Sequence, residues 1–257
     1  VTSRPLADLA PAARKIEALP GDEAHLWYAF VDDDAGRALA EQARAWMTPE
    51  EQARHDRYRF EKNRKEFRAT RGLARSVLAG YVGCDPGELR FEADAHGKPL
   101  LVSHQGPRFN LSNTEGLVVC LVARDPPVGV DVEPLARQVD ARSVAHRFFA
   151  PSEVEALLAL PEGRHPRRFL CYWTLKEAYI KACGLGLAIP LDHFACELDE
   201  QDRVLGLRFV PERQDDPAAW QLAQFELGPA HLVGVAIRRG ERPDLRLILR
   251  PAGLTRA

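Results

Sequence analysis

Two hydrophobic periods alternate along the chain. Residues 25–31, HLWYAFV, form a short apolar run that reads as a strand, and residues 36–46 carry helical spacing. Thr48-Pro49-Glu50-Glu51 is a helix start: a capping residue, proline in the first turn, then acids at the positive end of the dipole. A further helix is predicted from about Glu66 to Val82, ended by Gly83. Phe91 is strand-like, His96-Gly97-Lys98-Pro99 is a turn, and residues 109–112 pair with Leu117–Ala123 around Asn113-Thr114-Glu115-Gly116. After the linker Asp125-Pro126-Pro127 the order begins again. Residues 128–132 are a strand, Ala150-Pro151-Ser152-Glu153 starts a helix, and residues 169–183 form another, stopped by Gly184 and Gly186. Strands follow at 194–198, 205–210, 220–227 and 232–237. Matching Trp27 to Val130, Pro49 to Pro151, Phe91 to Phe194 and Val118 to Val233 gives offsets of 102 to 115 residues. The repeat predicts an α+β protein of two similar halves, 25–126 and 127–257, behind a loose lead-in segment, 1–24.

The helix at 169–183 mixes its chemistry. Trp173, Glu177, Ile180 and Lys181 fall on one side, an aromatic, an acid and a base where a plain core face has none. Glu177 and Lys181 alone also read as a solvated i, i+4 pair. A second acidic cluster shifts the balance. In Gly129-Val130-Asp131-Val132-Glu133 the two carboxylates share one face of a strand that Pro134 stops. A buried strand rarely places two like charges together without a cation nearby. Asp131, Glu133 and Glu177, with no histidine or cysteine among them, suit a hard divalent ion, Mg²⁺ with Mn²⁺ as substitute. Lys176 and Lys181 are then candidates for phosphate.

The chain has 257 residues, 46% hydrophobic and 28% charged, which fits a folded globular protein. A net charge of −2 argues against bulk nucleic-acid binding, although nine Lys or Arg against three acids between Arg54 and Arg75 form a basic stretch. Five cysteines without a C-x-x-C suggest reduced thiols in the cytoplasm. No segment reads as a membrane span or a signal peptide, and two halves in one chain suggest a monomer.

The two motifs together resemble the Sfp-type 4′-phosphopantetheinyl transferases. That family combines a G-[VI]-D-[VI]-E strand with a W-x-x-K-E-A-x-x-K helix about 40 residues later, here Gly129–Glu133 and Trp173–Lys181. The Gly97-Lys98-Pro99 turn, the Phe109-Asn110-Leu111-Ser112 strand and the Arg-rich helix agree with it. The resemblance runs from about His25 to Val235. It implies a pseudo-twofold pair of halves with the active site in the cleft between them. It also implies transfer of the phosphopantetheine arm of coenzyme A to a serine of an apo acyl or peptidyl carrier protein, with release of 3′,5′-ADP. Asp131 and Glu177 would bind Mg²⁺ and pyrophosphate, with Glu133 a direct or water-linked ligand. Lys181 would neutralise charge on the phosphate. Glu177, or a water held by Glu133, would take the serine proton. The 3′-phosphate and adenine would meet Lys98, Pro99, Ser112 and basic residues such as Arg57, Arg64 and Arg71. Many members carry Ser-His where this chain has Ser112-Asn113, so a neutral amide stands in for a charged contact.

Two other readings of the acids remain open at this level: a different metal-dependent phosphoryl or nucleotidyl enzyme, such as a nuclease, and a binding module with structural carboxylates. For a carrier, typically acidic around its serine, residues 135–149 offer Arg137, Arg142 and Arg147 beside Val139, Val144 and Phe148.

Overall fold

Both proline-marked start signals open helices in the computed structural model, which describes residues 19–253. Contacts divide the chain into two units. The first runs through β1 (Glu23–Phe30), α1 (Asp34–Trp46), α2 (Pro49–Asp56), α3 (Glu61–Val82), β2 (Phe91–Ala93), β3 (Pro99–Leu101), β4 (Arg108–Thr114) and β5 (Leu117–Ala123). The second runs through β6 (Val128–Pro134), α4 (Ala141–Phe148), α5 (Pro151–Leu158), α6 (His165–Cys183), β7 (Phe194–Leu198), β8 (Val204–Phe209), β9 (Trp220–Leu227) and β10 (His231–Arg238). A last strand, β11 (Arg246–Pro251), returns to the first unit. Strand order is β11-β1-β5-β4 in one sheet and β6-β10-β9 in the other. In both, the strand before the helices pairs antiparallel with the last strand of the hairpin after them. The order of elements is therefore the same in the two units, as the repeat predicts.

Two segments depart from the halves drawn in the sequence. β11 lies parallel to β1, with Glu23 opposite Arg246 and Tyr28 opposite Pro251, so it completes the first unit's sheet. Ala95–Lys98 belongs to the second unit. Residues 1–18 of the expected lead-in lie outside the described residues, while Leu19 is buried. Helix α3 starts five residues before the expected Glu66, because its first turns are charged and carry no apolar period. Helix α4 falls within residues 135–149, which the sequence offers to a carrier without marking a helix there. Asp140 caps it by accepting from the Ser143 N–H at 3.1 Å, and its buried positions, Ala141 and Ala145, are too small to mark a period.

Each unit has its own core, and one polar cluster recurs in both. At the start of α2, Glu51 Oε2 accepts from the Thr48 N–H at 3.1 Å and from the Arg75 guanidinium at 2.7 Å. Arg75, 1% exposed, also donates to the Pro86 and Leu89 carbonyls at 3.0 and 2.9 Å and lies 5.2 Å from the Phe91 ring centre. At the start of α5, Glu153 Oε2 accepts from the Ala150 N–H at 3.0 Å and meets Lys176 Nζ at 2.7 Å. Lys176, fully buried, donates to the Leu191 and Phe194 carbonyls at 2.7 and 2.6 Å and lies 4.2 Å from the Phe194 ring centre. Its three ammonium protons thus have three oxygen acceptors. The expectation that Lys176 binds phosphate is corrected: it is the second unit's counterpart of Arg75 and faces the interior.

Breaking a buried pair costs about 3–5 kcal/mol because the remaining charge is left uncompensated. Lys176→Met is expected to lose that much in urea unfolding, and adding Glu153→Gln should restore part of it. A loss within the 0–1 kcal/mol typical of exposed pairs would contradict the assignment.

Candidate active site

Helix α6 lies against the β6–β10 pair at a distance set by two glycines. A Cβ on Gly129 would fall 2.0 Å from the Ala178 carbonyl oxygen and 2.4 Å from the Ala182 nitrogen. One on Gly234 would fall 2.6 Å from the Thr174 oxygen. Any side chain at either position forces the helix off the sheet. Asp131 sits two residues after Gly129 and pairs across the ladder with Gly234, so the strand acid lies under the helix.

Four expected residues come together there. Asp131 is buried, and its Oδ1 meets Lys181 Nζ at 2.6 Å. Glu133 is half-buried; its Oε1 accepts from Trp173 Nε1 at 3.1 Å and pairs with Arg137, which lies over the Trp173 ring at 5.2 Å. Burial, followed by the negative charge of Asp131, raises the pKa of Glu133 above the ordinary carboxylate range. The same two causes in the same order raise Glu177, with Lys181 and Arg137 acting the other way. No hydrogen bond or ion pair among the described residues engages the Glu177 carboxylate. The three acids therefore form one electrostatic unit held in check by two cationic side chains.

The donor set fits a hard divalent cation: it is all carboxylate oxygen, and the charge of Asp131 helps raise the proton affinity of Glu133 and Glu177. They are not yet gathered as a coordination sphere. Among the described residues, the set of three His, Cys, Asp or Glu ligand atoms lying within 4.8 Å of one another is elsewhere, at Cys84, Glu88 and His104. Asp131 Oδ1 is engaged by the Lys181 ammonium.

The residues expected at the coenzyme fare differently. A cavity of about 410 Å³ in the first unit is lined by Arg71, Pro99 and Asn113 together with Arg54, Tyr58, Asn63, Glu66, Phe67, Thr70 and Leu111. Arg71 lies 3.4 Å from Glu51 and over the Phe67 ring. Ser112 is buried and does not line this cavity, because successive strand residues face opposite ways. Arg64 Nε donates to the Tyr58 carbonyl at 2.9 Å, and Arg57 is exposed; neither lines the cavity. The Lys98 ammonium is corrected as well. It donates to the Lys181 carbonyl at 2.6 Å, with the Val128 and Ala182 oxygens at 3.4 Å, and so caps the carbonyl end of α6. Arg54, Tyr58 and Thr70 were not singled out in the sequence; only the basic composition of 54–75 pointed near them.

No helix among the described residues is long and apolar enough to cross a membrane. The sequence pattern of the 4′-phosphopantetheinyl transferase superfamily matches residues 127–236, and that of the 4′-phosphopantetheinyl transferase N-terminal region matches residues 36–125. Over 173 residues the chain is 39% identical to 4′-phosphopantetheinyl transferase HetI of Nostoc sp. (strain PCC 7120), covering 66% of this chain and 72% of that one. It is 30% identical over 209 residues to 4′-phosphopantetheinyl transferase psf-1 of Bacillus pumilus, covering 81% and 86%. To 4′-phosphopantetheinyl transferase Sfp of Bacillus subtilis it is 25% identical over 218 residues, covering 84% and 92%. Similarity of this degree, along both units and across most of each relative, makes the chain a member of the 4′-phosphopantetheinyl transferase family.

Proposed function

We propose that this enzyme moves the 4′-phosphopantetheine arm of coenzyme A to a serine of an apo carrier protein, releasing 3′,5′-ADP, with Mg²⁺ held by Asp131, Glu133 and Glu177. The observation that carries the reading is the coupled patch of these three acids with Lys181, built by α6 against β6 and β10. Bound Mg²⁺ supplies neutralisation of the pyrophosphate, so that a leaving phosphate accumulates less charge. Lys181 moves from Asp131 to a phosphate oxygen and holds it there. Glu177 takes the serine Oγ proton. Its raised proton affinity and unengaged carboxylate suit it to that task better than Glu133, which Trp173 and Arg137 already hold. The serine oxygen then bonds to the β-phosphorus, and the bond from that phosphorus to the bridging oxygen breaks.

Asp131→Ala and Glu177→Ala are each expected to lower transfer by roughly 10²–10³-fold or more, the scale of one removed electrostatic contact in a site of this kind. Lys181→Ala should lose transfer while Mg²⁺ still binds by calorimetry. Glu177→Gln keeps an oxygen but accepts no proton, so it should bind coenzyme A and stay inactive in excess Mg²⁺. Near-normal transfer in the Asp131 and Glu177 variants would refute the reading, and rescue of Glu177→Gln by excess metal would make Glu177 a ligand only.

The cavity with Arg54 and Arg71 is our candidate for the 3′-phosphoadenosine end of coenzyme A, with Asn113 offering a neutral amide. A charged hydrogen bond is worth about 1.5–3 kcal/mol, so Arg71→Ala should weaken coenzyme A about tenfold or more while barely changing dephospho-coenzyme A. The preference for the phosphorylated ligand should shrink with salt. Equal affinity for both ligands in the unmodified enzyme would remove the cavity from this role.

For the carrier, α4 presents Arg142, Arg147 and the 41% exposed Phe148, with Ala141 and Ala145 turned inward. Arg137 is excluded from the test because it holds Glu133. Charge reversal at Arg142 and Arg147 should raise the carrier KM and leave the coenzyme A KM unchanged; an unaltered carrier KM would move the docking face elsewhere.

A further inference from the structure

The tightest grouping of metal-ligand atoms in the described chain belongs to the first unit, apart from the acids of β6 and α6. The Cys84 thiol, a Glu88 carboxylate oxygen and a His104 ring nitrogen all lie within 4.8 Å of one another. None of the three takes part in the transfer chemistry described above. Together they offer a thiolate, an imidazole and a carboxylate. This mixed set suits a borderline-soft ion of the zinc class and not the hard ion suited to three carboxylates.

Each ligand is carried by backbone that the fold already holds. Gly83, in the left-handed region at φ 77°, closes α3, and the Cys84 N–H donates to the Ala79 carbonyl at 3.3 Å. Glu88 ends a short 3₁₀ turn, Pro86–Glu88, whose Asp85 side chain accepts from the Gly87 N–H at 2.7 Å. The buried Arg75 guanidinium grips that turn from beneath through the Pro86 and Leu89 carbonyls. His104 lies in the loop between β3 and β4, and its Nδ1 is 2.8 Å from Ser103 Oγ. Ser103 Oγ in turn accepts from the Arg90 N–H at 3.0 Å, and the Val102 N–H donates to the Arg90 carbonyl at 3.0 Å. A ring nitrogen fixed by a hydroxyl while the other is left for a cation is the outer-shell arrangement that orients metal-binding histidines.

We propose that Cys84, Glu88 and His104 form a second cation site that binds one Zn²⁺-class ion, with water in the fourth position. In the bound form His104 Nδ1–H donates to Ser103 Oγ and Nε2 faces the ion, while the Cys84 thiol releases its proton to solvent. Bonds of about 2.0–2.3 Å to the ion place tetrahedral ligand atoms about 3.5 Å apart, so from separations within 4.8 Å the three side chains close by about 1.3 Å at most. Exposed Glu88 has the freedom to make that adjustment. The ion ties the end of α3 to the loop that leads into β4, and β4 carries Asn113 at the cavity.

Cobalt tests the site without reference to catalysis. Reduced, metal-free full-length protein is titrated with Co²⁺ and read by absorption. One equivalent should produce a thiolate-to-cobalt band in the near ultraviolet with tetrahedral bands in the visible, and Zn²⁺ should abolish both. The oxygen-only site at Asp131 supplies no thiolate, so Asp131→Ala should keep the near-ultraviolet band. Cys84→Ser, a change of one atom at a partly exposed position, should remove that band. His104→Ala should weaken binding strongly, and Ser103→Ala by roughly 10–100-fold, the usual effect of losing an outer-shell partner. Absence of the band, its survival in Cys84→Ser, or unchanged affinity in His104→Ala would overturn the proposal. Far-ultraviolet dichroism of each variant separates lost coordination from lost fold.

Discussion

A cation buried against a glutamate organises each unit, and the candidate active site follows from the one in the second. Lys176 points into the core, where Glu153 and two carbonyls hold it. Successive residues of an α-helix are turned by about 100°. Fixing Lys176 inward therefore fixes the rotation of α6 and turns Glu177, its neighbour, and Lys181 toward β6. Gly129 and Gly234 then set how closely the helix approaches. Rotation and height together decide that Glu177, Asp131 and Lys181 share one patch, and neither depends on a loop.

That patch is poised by its own repulsion. Two of the three acids hold protons more tightly than free glutamates because they are buried beside Asp131, and cationic neighbours offset part of the cost. The arrangement favours positive charge beside the acids, as the Lys181 ammonium on Asp131 shows. Trp173 holds Glu133 in place, which explains an aromatic on the same helical face as an acid and a base.

Much of this could be read from spacing. Strong periods and punctuation marked both units' strands and helices, and the i, i+2 acids of β6 with the i, i+4 pair of α6 named the patch. What escaped had weak signals for physical reasons. Lys176 looks like a phosphate ligand because it stands beside Glu177 in sequence, while only the helix's rotation separates them. Its pairing with Glu153 spans 23 residues, and no local pattern encodes it. The repeat does hold a clue, since Glu51 and Arg75 occupy corresponding places in the first unit. Lys98, in a glycine turn, looks available to an anion but turns to the carbonyl end of α6. Ser112 and Asn113 are neighbours in the chain on opposite faces of β4. β11 was missed because its partner, β1, lies at the other end of the sequence.

The return of β11 also bears on how the chain is made. The second unit's described elements are all synthesised by Leu245, whereas the first unit's sheet lacks an edge strand until Arg246–Pro251 appears. Arg246 follows Phe30 by 216 residues, which at 5–20 residues per second is a wait of roughly 10–40 s. During that interval one side of β1 has no strand to pair with, and an unpaired edge is a template for other chains. The unit whose strands open this sequence is thus completed only when β11 emerges, and until then that side of β1 stands open.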